Sequence, residues 1–210
     1  KNITFETINR FMSKTPSSAV LKVSKLISGF FNPMNSLVIY FIVFSVRNFT
    51  LSEATHNFLP IFLTTIVPIS SWIIYNVRTK KYTNLDVSDR KQRKSLYFFI
   101  EGVMLVYLFF VYLKHERIDM VLLFLLILLI VLQISNYFIK SSMHMAINLF
   151  IAALFFAVSP LYGLIWLIFS ILVGISRIIL KRHSPAEVLS GAVIAGIVSF
   201  VYLYTHIQIQ

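Results

Sequence analysis

The stretch IDMVLLFLLILLIVLQISNYFI, residues 118–139, carries a single charged side chain, Asp119, near its start. A helix that crosses a bilayer needs about 20 consecutive apolar residues, within a range near 17–25, and this run has that length. It shows none of the period-two alternation of a barrel strand, and a backbone in lipid must satisfy its own hydrogen bonds. It therefore reads as a transmembrane helix. Working outward, further apolar runs lie at about 33–49, 56–77, 95–113, 145–159, 161–180 and 186–205, each bounded by polar or charged residues. The run at 145–159 is short, and reaches further if its helix starts at Ser142. Pro160 and Gly163 mark a tight turn into the next run.

The composition agrees. Of 210 residues, 58% are hydrophobic and only 13% charged, against about a quarter charged in a soluble domain. Mean hydropathy is +0.81. Residues 1–29 differ from the rest, because Arg10, Lys14, Lys22 and Lys25 interrupt their apolar positions. The second half of that segment has the character of a helix lying in the membrane interface. No apolar core with a cleavage site marks a signal peptide there. The expected fold is all-α: a polytopic integral membrane helix bundle of six to seven transmembrane helices with an N-terminal interfacial helix. Residues 1–32 form the interfacial segment and 33–210 a single transmembrane domain. With no cysteine, disulfides, thiolate metal sites and cysteine nucleophiles are excluded. No nucleic-acid motif accompanies the net charge of +11, so the expected partners are membrane lipids. Nothing in the sequence sets an oligomeric state.

Three polar stretches stand out: DVSDRKQRK (86–94), KSSMH (140–144) and SRIILKRHSPAE (176–187). Two predicted spans separate each from the next, so all three return to one membrane face, together with the N-terminus. That face carries sixteen of the nineteen Lys and Arg residues; Arg47, Lys114 and Arg117 lie on the other. The positive-inside rule places the richer face in the cytoplasm. The expected location is a bacterial inner membrane.

These stretches hold residue types that handle phosphate. His183 and His144 are candidates for nucleophile, general acid or base. Arginine grips phosphate through paired, charge-assisted hydrogen bonds, and Arg90, Arg93 and Arg177 are candidates. Arg177 lies inside apolar sequence, where a charge is costly and functional by default. A loop kept basic only for topology explains Lys91 and Lys94 equally well. HSPAE has a purely structural reading as well: Ser184 as N-cap, Pro185 as first helical residue and Glu187 completing a capping box. Such a helix start beside His183 also favours an anion. Ser141 or Ser142 caps the helix through His144 in the same way. No metal-ligand spacing, phosphate-cradling glycine loop or nucleophile elbow is present.

Ser176-Arg177, five residues, His183, three residues and Glu187 resemble the third signature of the type 2 phosphatidic acid phosphatase superfamily, Ser-Arg-x5-His-x3-Asp. SSMH resembles the second, Pro-Ser-Gly-His, at Ser142 and His144. The first, Lys-x6-Arg-Pro, is matched at Arg93 only. The resemblance spans about residues 80–205. It implies a membrane lipid phosphate phosphatase that needs no metal or other cofactor. By that analogy His183 attacks phosphorus to give a phosphohistidine. His144 protonates the leaving alkoxide and then activates water. Arg93, Arg177 and Ser142 hold the phosphate oxygens. Ser176 and Lys140 are further phosphate-binding candidates, and Arg90, one turn from Arg93, replaces a lost charge. The substitutions fall at defined points: Asp86 stands at the lysine position of the first signature and Lys94 at its proline. Ser141 and Met143 replace the proline and glycine of the second, and Glu187 replaces the aspartate that orients the nucleophile. The substrate is expected to be a lipid phosphomonoester or diphosphate. The same phosphohistidine also suits a lipid phosphotransferase, and the altered first signature suits a member that only binds lipid phosphate.

Overall fold

Short polar side chains at the edges of the apolar runs set where helices begin. Ser17, Asn32, Thr50, Asp89, Asp119 and Ser142 each accept a backbone N–H from the first turn that follows. Thr50 and Glu53 form a full capping box. The computed structural model describes residues 16–209. Its helices are α1 (Ser18–Phe30), α2 (Pro33–Asn48), α3 (Leu51–Ile61), α4 (Val67–Arg78), α5 (Arg90–His115), α6 (Met120–Ser135), α7 (Met143–Val158), α8 (Pro160–Ile179) and α9 (Pro185–Ile209). No strand occurs among the described residues. A π-helical turn, Phe62–Ile66, joins α3 to α4. Pro68 lacks the N–H that would bond the Thr64 carbonyl, and the wider turn absorbs the break.

Among the described residues, four helical rods are long and apolar enough to cross a membrane: Leu51–Arg78, α5, α8 and α9. A fifth appears if α1 and α2, bent by 58° at their junction, count as one broken span. The exposed surface of these rods is apolar, with Phe98, Val106 and Phe109 on α5, Leu164 and Ile168 on α8, and Val193 and Phe200 on α9. Exposed apolar surface on this scale suits lipid rather than water. The protein is thus an all-helical bundle built for a membrane.

The run at 118–139 does not form a span of that length. α6 has 16 residues, about 24 Å at 1.5 Å per residue. It closes at Ser135 because Asn136 is tied sideways: its Nδ2 donates to the Arg90 carbonyl (3.2 Å) and its own carbonyl accepts from Arg90 Nε (2.6 Å). α7 also has 16 residues. α7 is wrapped by the other helices and buries Phe150, Ile151 and Leu154 completely, whereas α6 buries Leu128 and Leu132 and leaves Ile127, Ile130 and Ile134 exposed.

Lipid tails are as apolar as leucine, so close packing and hydrogen bonds hold such a bundle. A Cβ on Gly191 of α9 would stand 2.7 Å from the Ser142 carbonyl oxygen, so only glycine lets α9 come this close to the start of α7. Asn148, fully buried one turn after His144, accepts from Ser36 Oγ (2.9 Å) and donates to the Phe31 (3.0 Å) and His144 (2.8 Å) carbonyls. It pins α7 to the bend between α1 and α2.

Candidate active site

The three polar stretches converge at one end of the bundle, where α8 ends and α5, α7 and α9 begin. The end of α8 is the organising turn. The Arg177 carbonyl accepts from the backbone N–H groups of Arg182 (3.0 Å) and His183 (3.3 Å). Lys181 takes the left-handed conformation, φ 55°, that folds the chain back. His183 is thereby returned to the level of Arg177.

His183 is held on both ring nitrogens. Nε2 lies 3.1 Å from Arg93 Nη2, and Nδ1 lies 2.8 Å from Glu187 Oε2. A guanidinium only donates, so Nε2 is the acceptor and the ring proton sits on Nδ1, donated to Glu187. Burial, then the charges of Arg93 and Arg177, push His183 well below its ordinary pKa. The imidazole is neutral, with the Nε2 lone pair directed at the cation.

Glu187 answers the question left open in the sequence. The same oxygen that accepts from His183 also accepts from the Ser184 N–H (3.2 Å), while Ser184 Oγ accepts from the Glu187 N–H (3.2 Å). The carboxylate caps α9 and orients His183 together. Lys140 Nζ lies 3.8 Å from the same oxygen and donates to the Arg182 carbonyl (3.2 Å).

Arg93 is buried, and each of its three side-chain nitrogens makes one hydrogen bond, Nη2 to His183 as above. Nε donates to the Val87 carbonyl (3.0 Å) and Nη1 to the Ser141 carbonyl (3.0 Å). Val87 adopts φ 45°, a left-handed conformation strained for a β-branched residue, which aims its carbonyl at Arg93. Arg177 has no exposed surface. Its Nη1 donates to Ser28 Oγ (2.9 Å) on α1 and to Asp86 Oδ2 (2.9 Å). Its Nε and Nη2 have no hydrogen-bond partner among the described residues, and neither does the buried His144 Nε2, which lies 3.8 Å from Asp86 Oδ1. Ser142, fully buried, caps α7 through its hydroxyl (3.4 Å from Met145 N), and its N–H donates to the Glu187 carbonyl (2.9 Å).

The expected residues thus divide. His183, Glu187, Arg93 and Lys140 form one contact chain. Arg177 and His144 meet through Asp86, and Ser142 joins the cluster by its backbone. Two others do not join it. Ser176 turns its hydroxyl back to the Val173 carbonyl (2.7 Å), as helical serines do. Arg90 is tied to Asn136 and does not restore the missing charge beside Arg93. Ser28, Ser141 and Asp86 were not read as site residues. Ser28 had a signal: with Ser24 it makes a buried i, i+4 polar pair on a helix whose exposed face carries Val23 and Leu26. Ser141 and Val87 act through backbone carbonyls, which no side-chain pattern reveals.

A cavity of about 480 Å³ adjoins the cluster. Leu37, Ile69, Ile100, Met104 and Leu125 line it, and Asp86 and His144 stand in its wall. It is the size of an ordinary small-ligand pocket and apolar along most of its surface. Among the described residues no three His, Asp or Glu side chains gather as metal ligands. Comparisons with family models, with curated proteins and with solved structures each return no match. The chemistry of the site rests on its own geometry.

Proposed function

We propose that the protein is a membrane lipid phosphate phosphatase, hydrolysing a phosphomonoester or diphosphate of a lipid through a phosphohistidine on His183. The observation that carries this reading is the neutral His183 imidazole, fixed by Glu187 at Nδ1 and offering its Nε2 lone pair beside Arg93. A phosphoryl group that displaces the 3.1 Å contact between His183 Nε2 and Arg93 Nη2 meets a nucleophile in the freed lone pair and a cation in the guanidinium beside it. Phosphoryl transfer asks chiefly for such positioning and positive charge.

The atoms balance as follows. Nε2 of His183 bonds to phosphorus, the P–O bond to the lipid breaks, and the leaving lipid oxygen takes a proton from the imidazolium form of His144, which becomes neutral. Water then returns a proton to His144 as its oxygen attacks phosphorus, the P–N bond breaks, and inorganic phosphate leaves. Glu187 accepts the Nδ1 proton's hydrogen bond throughout and offsets the charge that develops on the ring. Arg93 and Arg177 face the phosphoryl oxygens. His144 borders both this cluster and the apolar cavity, so the leaving lipid has its chain on the cavity side.

In this reading α1 lies in the interface and seven rods cross: α2, the α3–α4 rod, α5, α6, α7, α8 and α9. The basic excess at the proposed catalytic end favours a cytoplasm-facing site; in a bacterial inner membrane, the location this reading assumes, such a site suits phosphatidic acid or phosphatidylglycerol phosphate. The test is phosphate release by the detergent-purified protein from a panel of lipid phosphates, wild type against His183→Ala and His144→Ala. Loss of release in both is expected; turnover that survives both substitutions excludes the mechanism. Thr83→Cys tests orientation, since resistance to an impermeant thiol reagent in intact cells is expected and ready labelling reverses the assignment.

A further inference from the structure

We infer that Asp86 is a specificity-determining residue: its carboxylate holds Arg177 as an internal anion, so that only a phosphoryl group carried on an apolar chain takes its place. The inference rests on the lipid phosphate reading above and adds to it which phosphates are refused.

Asp86 Oδ2 is 2.9 Å from Arg177 Nη1 and Oδ1 is 3.8 Å from His144 Nε2. Arg177 Nε and Nη2 and His144 Nε2 are buried and lack any other partner among the described residues. A buried guanidinium with unmet donors is costly, and Asp86 meets Arg177 at Nη1 alone, leaving Nε and Nη2 unmet. The two members of the pair differ in freedom. The Arg177 side chain is 0% exposed, whereas that of Asp86 is 34% exposed and forms part of the cavity wall. Asp86 also precedes the strained Val87 on the connection between α4 and α5, not on a helix. The carboxylate can therefore swing away without unpacking the bundle, while the arginine stays.

Two anions cannot share Arg177 without repelling each other over a few ångströms of weakly screened space. Inorganic phosphate or a small soluble ester brings only its charge to this contest. A lipid phosphate brings a chain as well. A chain entering the cavity covers the exposed face of Asp86 while its phosphoryl group competes for Arg177, so the carboxylate loses both its water and its partner and moves out toward solvent. Confinement to the membrane adds effective concentration. The site thereby admits lipid phosphates and refuses soluble phosphates in the surrounding water.

The experiment uses the full chain in detergent. Calorimetry measures the affinity for inorganic phosphate of the wild type, Asp86→Asn and Asp86→Ser. Both substitutions are expected to tighten phosphate binding at least about tenfold. The ratio of kcat/KM for a soluble short-chain phosphomonoester to that for long-chain phosphatidic acid is expected to rise at least about tenfold in Asp86→Asn. Phosphate affinity equal to or weaker than wild type in both folded variants overturns the inference. If the unpaired Arg177 prevents both variants from folding, the wild type alone decides: equal use of the short-chain and long-chain substrates refutes the proposal, and a strong preference for the long chain supports it. Failure of the phosphatase reading shows differently, as no phosphate release or as release that survives His183→Ala, and the phosphate-binding measurement still tests Asp86.

Discussion

Replacing Glu187 separates two duties that one oxygen performs. Oε2 accepts from His183 Nδ1 at 2.8 Å and from the Ser184 N–H at 3.2 Å. Glu187→Gln keeps a carbonyl oxygen able to accept both hydrogen bonds but removes the charge. Glu187→Ala removes everything. A hydrogen bond to a charged group contributes about 1.5–3 kcal/mol, and a helix cap about 1 kcal/mol. The alanine variant is therefore expected to lose roughly 2–4 kcal/mol of stability, seen as a clearly lower melting temperature in detergent. The glutamine variant keeps most of the cap and melts near the wild type. Its phosphate release falls about 10- to 100-fold, the rate equivalent of the lost charge-assisted bond. Melting temperature and initial rate are measured on the same preparations. If Glu187→Gln melts like the wild type and also releases phosphate at the wild-type rate, the carboxylate caps a helix and does nothing for His183.

Gly191→Ala places a methyl group 2.7 Å from the Ser142 carbonyl oxygen, where backbone rather than a flexible side chain must yield. It is expected to cost about 1–3 kcal/mol, to lower the melting temperature and to speed amide exchange at Ser142, whose N–H bonds the Glu187 carbonyl. Arg90→Ala breaks the tie to Asn136 at the end of α6. It should reduce stability by about 1–2 kcal/mol while phosphate release by the folded protein stays within about threefold of the wild type. The sign of the pH dependence follows from His183. Its pKa is lowered by folding, so below the unfolded value near 6.5 the unfolded chain binds a proton that the folded chain does not. The His183 contribution is flat above about pH 6.5 and declines below it, by at most about 1.4 kcal/mol per pH unit. Melting temperatures between pH 5 and 7.5 should fall toward acid less steeply in His183→Gln than in the wild type.

Much of this was legible because the sequence writes apolar length and capping plainly. α7 starts after Ser142, Ser184 and Glu187 pair at the start of α9, and the polar stretches meet through Arg93, His183 and Glu187. The starts after Thr50 and Asp89 lie upstream of the apolar runs and were not legible from apolar length. The length of α6 was not legible. Apolar composition continues to Ile139, and only the tertiary tie between Asn136 and Arg90 stops the helix at Ser135. Ser176 misled for a related reason, since a serine beside a functional arginine looks available until its hydroxyl is seen to bond its own helix at Val173. In the sequence Asp86 is a substitution at the lysine position of a phosphate signature. Only the packed structure shows that it partners Arg177, a residue 91 positions away.

The contact between Arg177 Nη1 and Ser28 Oγ spans 149 residues of sequence. At roughly 5–20 residues per second of synthesis, α1 leaves the ribosome on the order of ten seconds before α8. Until then its inward face, Ser24 and Ser28, has no counterpart from α8 to pack against. Arg177 in turn gains the Ser28 hydroxyl beside Asp86 only when it docks onto a helix made near the beginning. The last rods to be inserted thus close a ring that the first helix opened. A ribosome stalled before residue 177 leaves that ring open, with every residue of the first two polar stretches already made.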